Sequence, residues 1–223
     1  MTKKIVALVP MRHHSERVPG KNYRPFAGKP LFHHILKTLQ SVPELDAIMV
    51  DTDSPVIIAG LERFFPDVVV HLRPNNLRGD TVPMNQILAH DSGVIESEYY
   101  LQTHSTNPLL RSATISNAIK TFFENKSQYD SLFGVTRLQT RLWDQDGQPV
   151  NHNPSVLLRT QDLPPIYEEN SCIYLFSRHT ILTSRNRLGE HPFMFEIPPG
   201  EALDIDEELD FIMAETIFHQ LYD

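Results

Sequence analysis

Between Arg12 and Arg24 the chain sets Arg12, Arg17, Lys21 and Arg24 beside Ser15, Gly20 and Asn22, and Glu16 is the one acid in that stretch. Guanidinium and ammonium groups neutralise charge while amides and hydroxyls hydrogen-bond to oxygen, so the stretch suits a polyanion such as a triphosphate. It is neither a P-loop, since G-x-x-x-x-G-K-[ST] is missing, nor a dinucleotide fingerprint, since G-x-G-x-x-G is missing too. By charge alone a solvated loop without a ligand is an equal reading. Near the other end stand Asp204 and Asp206, two apart in an extended stretch and so on one face, just before a helix. Two carboxylates at such an exit suit Mg²⁺, which takes hard oxygen ligands and keeps waters and phosphate oxygens. The same acids could instead serve only the helix, because Asp204 with Glu207 fits a capping box and acids in a first turn favour the macrodipole. The single cysteine, Cys172, lies in the apolar run CIYLF and reads as a packed thiol, and the eleven histidines show no zinc spacing.

These residues need a scaffold, and the apolar pattern supplies one. Ile5 to Val9 reads as a buried strand, followed after the basic loop by a helix from Pro30 with Leu31, Ile35, Leu36 and Leu39 on one face. A strand from about Ala47 to Val50 closes on Asp51 and Asp53, and Asp53 or Ser54 caps the next helix. Val68 to Leu72 is a third buried strand, followed by a helix from about Met84 to Asp91 and the strand YYLQT. Ser112 is expected to cap a helix that packs through Ile115, Ala118, Ile119, Phe122 and Phe123. After the strand DSLFGVT, residues 137–165 turn polar and proline-rich, and an excursion of that length is usually functional. A central strand over Ile173 to Phe176, a short helix from Arg178, the strand FMFEI and a last helix through Leu209, Ile212, Met213 and Ile217 complete the chain. Alternating strands and helices predict an α/β fold, a mostly parallel twisted sheet with helices on both faces and ligands at the carboxyl ends of its strands.

A chain of 223 residues with 40% hydrophobic content can bury one sizeable core, and one main domain over residues 1–223 is expected. The net charge of -8 argues against a general nucleic-acid binder, which needs a basic face. One cysteine excludes an internal disulfide, and neither a signal segment nor a long apolar run is present, so no membrane is expected and the cytoplasm is the expected location.

The order of residues in the basic loop goes further than its charge. Arg12, Ser15, Lys21 and Asn22, then Pro25, Gly28, Lys29 and Pro30 in PFAGKPL, resemble the signature of the acylneuraminate cytidylyltransferase family, which activates sialic acids and related sugar acids as CMP conjugates. Many members have two glycines where this chain has His13 and His14. Arg73, Pro74, Leu77 and Asp80 are similar to the segment that lines the nucleotide base in the family; Arg73 could equally pair with Asp80. Gln102, Pro108, Leu109 and Arg111 resemble the next segment, with Asn107, His104 and an extra leucine as departures. Arg159, Gln161, Leu163, Pro164, Tyr167, Asn170 and Tyr174 resemble the sugar-side series, with Ser171 in place of glycine. Asp204-Ile205-Asp206-x-Glu208-x-Asp210 is also how the family ends.

The resemblance implies a Rossmann-like nucleotidyltransferase fold and a homodimer, with an arm at about residues 137–167 that closes the partner's sugar site. It implies that CTP and a sugar acid give a CMP-sugar and pyrophosphate. Arg12 and Lys21 would stabilise the phosphates, supported by Ser15 and Arg17; Asn22, Arg73 and Asp80 would hold the base. Gln102, Arg159, Gln161 and Asn170 would face the sugar, with Arg159 either on a sugar carboxylate or on Glu168 or Glu169. Asp204 and Asp206 would carry Mg²⁺, and one of them, Asp206 foremost, or a metal-bound hydroxide would accept the hydroxyl proton. The same chemistry on an octulosonic acid or a phosphonate, and a non-catalytic nucleotide- or sugar-binding homologue, are the alternatives.

Overall fold

The computed structural model describes residues 4–79 and 81–222. Its first strand, β1 (Ile5–Met11), is buried along its whole length. The hairpin β2 (Pro25–Phe26) and β3 (Lys29–Pro30) follows, then α1 (Leu31–Gln40), β4 (Ala47–Thr52), α2 (Pro55–Phe64), β5 (Val69–Leu72), α3 (Met84–Val94) and β6 (Tyr99–Gln102). Next come α4 (Ser112–Asn125), β7 (Ser131–Leu138), β8 (Ile166–Ser177), α5 (Arg178–Ser184), β9 (Pro192–Glu196) and α6 (Glu208–Tyr222). The main sheet runs β5-β4-β1-β6-β8-β7-β9. Only β8 is antiparallel to its neighbours β6 and β7, so the sheet is mostly parallel, as expected.

A strand with parallel neighbours on both sides must be apolar on both faces. Ile5, Ala7, Val9 and Met11 of β1 pack in one layer with Phe32, Ile35 and Leu36 of α1, Ile57 and Leu61 of α2, and Ile115 and Ile119 of α4. Val6 and Leu8 point the other way, toward Leu88 of α3 and Ile181 of α5. A third cluster joins the β2–β3 hairpin to α6 through Phe26, Leu31, Ile205, Phe211 and Ala214. No helix among the described residues is long and apolar enough to cross a membrane.

Several local expectations change. Pairing continues through Pro10↔Asp51 and Met11↔Thr52, so β1 and β4 are longer than their apolar runs and Asp51 lies inside the sheet. β5 is the edge strand, with Val69, Val70 and Leu72 exposed, so the third strand is not a buried one. Ser54 caps α2 by accepting from the Ile57 N–H at 3.3 Å, whereas Asp53 accepts from the His13 N–H. Ser112 is the first residue of α4 and not its cap; the N-cap position is Arg111, which has no side-chain cap bond and whose own N–H donates to Glu201 at 2.9 Å. At α6 the capping carboxylate is Asp210, which takes the N–H groups of Asp206 and Glu207 at 3.0 and 2.8 Å. The capping box from Asp204 to Glu207 is therefore absent, and Asp204 is available for other contacts.

β8 extends well beyond its four-residue apolar run because β7 stays paired with it out to Leu138↔Ile166. β6 pairs only with the stretch from Tyr174 to Ser177, so the first part of β8 and the end of β7 form a two-stranded ribbon. The ribbon leads into residues 139–165, where Trp143 and Pro149 bridge and Asn151 ties the loop to Thr140, Leu142 and Pro164. Trp143, Val150, Val156 and Leu157 are exposed there, Leu157 at 89%.

Candidate active site

Beyond the carboxyl end of β1 a cavity of about 520 Å³ opens between the basic loop and the segment leading into α6. Arg12, Ser15, Arg17, Lys21 and Asn22 line it from the loop, and Asp204 and Asp206 line it from across. Arg73, Met84 and Ile87 close another side, with His104, Ser105, Thr106 and Ser171 opposite. The loop is held by side chains rather than by flexible backbone. His13 donates its N–H to Asp53 at 2.7 Å, sets Nδ1 2.8 Å from the Ser54 hydroxyl and stacks on Tyr23. Neither His13 nor His14 has a positive φ, so two histidines fit where glycine is common. Gly20 is different: its φ is +66° and a Cβ there would stand 2.8 Å from the Tyr23 ring. Asn22 is a strut, donating to the Arg12 carbonyl at 2.7 Å and accepting from Ser105 at 2.6 Å.

Charges across the cavity are only partly matched. Lys21 Nζ donates to the Ile205 carbonyl and stands 3.6 Å from Asp206, which also binds Arg17 at 2.7 Å. Burial holds the Lys21 ammonium below its usual pKa, opposed by Asp206 and Asp204. Asp204 is pushed up by burial, with a hydrogen bond from Thr106 acting the other way and Asp206 adding to the rise. Its Oδ1 is buried with no hydrogen-bond partner among the described residues. A buried carboxylate oxygen without a donor, beside a second carboxylate, is a donor set that fits a hard divalent cation.

Arg73 is 1% exposed. Its Nε donates to the Asp51 carboxylate and its Nη2 to the Asp51 carbonyl at 3.2 Å. Its ion pair is therefore with Asp51, which lies inside β4, while Asp80 lies outside the described residues. Arg73 borders the cavity as part of a buried wall. Asp91 of α3 stands behind it, its pKa pushed up to about 9 by burial and then by Asp51.

The sugar-side residues are arranged differently. Gln102 is fully buried; its Nε2 meets His104 Nε2 at 2.8 Å and its Oε1 accepts from Arg187 at 2.7 Å. Arg187 lies 3.4 Å over the Tyr174 ring and 3.7 Å from Glu169, to which Tyr174 donates its hydroxyl. Burial, then Arg187 and Lys21, lowers the His104 pKa to about 3. Asn170 donates to Thr136 at 3.1 Å and accepts from the Cys172 N–H at 3.2 Å, which fixes the irregular register opposite Gly134. Arg159 is exposed and binds Asp162, not Glu168 or Glu169, and Gln161 is exposed beside it. Arg12, Ser15, Arg17, Lys21, Asn22, Arg73, Asp204 and Asp206 thus share one cavity, while Gln102, Asn170, Arg159 and Gln161 do not line it. Arg187 was not anticipated from sequence, because its stretch SRNRLGEH carries neither period nor motif. Cys172 is buried and its thiol pushed up by that burial, in keeping with a packing role.

Residues 6–221 match the family model described as cytidylyltransferase. The pseudaminic acid cytidylyltransferase of Campylobacter jejuni subsp. jejuni serotype O:2 is 23% identical, over 96% of this chain and 96% of that protein. The N-acylneuraminate cytidylyltransferase of Escherichia coli O18:K1:H7 is 24% identical over 97% of this chain and 52% of its own length. Among solved structures, CMP:2-keto-3-deoxy-manno-octonic acid synthetase complexed with CTP superposes with a TM-score of 0.73 at 15% identity, over 98% of this chain and 99% of that one.

Proposed function

Because this chain belongs to the cytidylyltransferase family, we propose that it transfers the CMP group of CTP to a sialic-acid-like sugar acid and releases pyrophosphate. The observation that carries the proposal is the cavity that unites Arg12, Ser15, Arg17 and Lys21 with Asp204 and Asp206. The names of the relatives supply the acceptor class: pseudaminic acid, N-acylneuraminate and an octonic acid.

The sugar hydroxyl attacks the α-phosphorus in line, a new P–O bond forms, and the bond to the bridging oxygen of the β-phosphate breaks to release pyrophosphate. Arg12, Arg17 and Lys21 take up the charge that develops on the leaving oxygens, with Ser15 as a hydroxyl donor. Burial of Lys21 strengthens that interaction by excluding water. The hydroxyl proton passes to the acidic side of the cavity, where Asp206 is the proton acceptor. Asp204 and Asp206 would hold Mg²⁺, which when bound would neutralise phosphate oxygens as a Lewis acid. Asn22 and Arg73 form the wall against the base: Asn22 keeps the loop seated on Ser105, and Arg73 presents a planar group held by Asp51.

The arm is the second part of the proposal. Exposed Trp143, Val156 and Leu157 on residues 139–165 support a second copy of this chain as their cover, with Arg159 and Gln161 carried toward that copy's sugar site. Sedimentation is expected to give a dimer, and a monomer at assay concentration would remove the arm from the mechanism.

The activity test is pyrophosphate release with CTP, UTP, ATP or GTP, Mg²⁺ and sialic, legionaminic, pseudaminic and octulosonic acids. Release with CTP, abolished in Asp206→Ala, is expected. No release with any nucleotide, together with no CTP binding by calorimetry, would overturn the assignment.

A further inference from the structure

Outside the cavity, on the far side of the Arg73–Asp51 pair, the edge strand β5 and helix α3 bring His71, His90 and Asp91 together. One nitrogen from each imidazole and one carboxylate oxygen lie within 4.8 Å of one another. The two Nε2 atoms face each other at 3.1 Å. Two nitrogens about 2.05 Å from a common ion stand roughly 2.9 Å apart at octahedral angles and roughly 3.3 Å apart at tetrahedral ones. The observed gap falls inside that range. A hydrogen bond between neutral imidazoles gives a similar gap.

Asp91 adds the second observation. It is fully buried, and neither of its carboxylate oxygens meets a nitrogen donor among the described residues; the group in contact with it is the Asp51 carboxyl. The charged group beside it is another acid, Asp51, whose Oδ2 also lacks a donor. Arg73 directs its Nε and Nη2 to Asp51. Two buried carboxyl groups in contact need a further positive centre, either a proton between them or a cation held by groups outside. Two imidazole nitrogens already converge on the open side.

We propose that His71, His90 and Asp91 form a binding site for a divalent transition metal of zinc's chemical class. Two imidazoles and one carboxylate suit Zn²⁺, Co²⁺, Ni²⁺ or Cu²⁺, whereas the all-oxygen pair Asp204 and Asp206 suits Mg²⁺. His90 is exposed, so the ion enters from solvent and keeps a coordination position for water. Bound there, it ties the edge strand to α3 and balances the acid next to Asp51, which seats Arg73 in the cavity wall. The sequence hides this site because His71 and His90 are 19 residues apart on different elements.

The test uses tag-free, metal-stripped protein with Mg²⁺ in excess, titrated with Co²⁺. Visible d–d absorption bands saturating at one ion per chain are expected, together with a rise in melting temperature on adding Zn²⁺. His90→Ala, at an exposed position, is expected to lower the Co²⁺ affinity about tenfold or more, and His179→Ala, at another exposed histidine, to leave it unchanged. Absence of the bands, or bands equally strong in His90→Ala and His71→Ala, would overturn the site. Neither readout depends on nucleotide transfer.

Discussion

At one end of the cavity Lys21 and Arg17 share a single carboxylate, Asp206, while Asp204 keeps a buried oxygen without a donor. At the other end, behind the cavity wall that His104 lines, Gln102, His104, Arg187, Tyr174 and Glu169 direct their polar atoms to one another. Both ends hold cations and acids, yet they are in different states of completion. In the proposed function the loop end would gain its missing interactions from a phosphate chain and a cation. As the sugar end, the other group would have to exchange existing hydrogen bonds for those of an acceptor, so its selectivity would be a difference between two satisfied states. In the proposed function, affinity for nucleotide and choice of sugar would therefore be separable properties.

The strongest way to break that contrast is at Lys21. Lys21→Ala is expected to lower kcat by about a thousandfold with every acceptor, by loss of a buried charge aimed at the leaving phosphates. Circular dichroism should remain unchanged, and a near-normal rate would remove Lys21 from catalysis. Arg187→Met should act at the other end only. It releases Gln102 and Glu169, so the KM for the acceptor should rise by roughly tenfold while the KM for CTP stays within about twofold; equal changes in both would merge the two ends into one unit.

The smallest effect is one of pH. His104 titrates near 6.5 unfolded and near 3 in the folded protein, so between those values the unfolded chain binds more protons. Stability should then fall as pH drops from about 6.5 toward 3, by up to about 1.4 kcal/mol per pH unit from this residue alone. His104→Gln should flatten the curve measured by urea unfolding across that window. An unchanged slope would show that folding does not shift the titration of this ring.

The contrast also marks what the residues alone could tell. The layers were legible because β1 and its helices carry apolar residues at the periods their faces require, and both ends of the phosphate side carry spaced, ordered charges. What stayed hidden depended on partners distant in sequence. That Asn170 bonds Thr136 and sits opposite Gly134 is set by the neighbouring strand and not by its own segment. That Arg73 meets Asp51 depends on β4 running past its apolar stretch. Asp204 looked like a cap because its spacing to Glu207 is right, and only the reach of Asp210 back to two N–H groups frees it. Arg187 sits in a stretch with no period at all, and only the tertiary contact with Gln102 gives it meaning.

The pairing of Arg17 with Asp206 spans 189 residues of sequence, and that of Arg24 with Glu208 spans 184. During synthesis the basic loop emerges well before the acids that face it. The sheet's first half can form around β1 while the ribosome is still adding α6, but the cradle stays one-sided until Asp206 has cleared the exit tunnel and α6 has docked on the β2–β3 hairpin. A nascent chain halted before that point would carry the phosphate loop and much of the core, yet it could not hold the triphosphate between two walls. In the proposed function, competence for nucleotide would thus wait for a segment 189 residues downstream of Arg17.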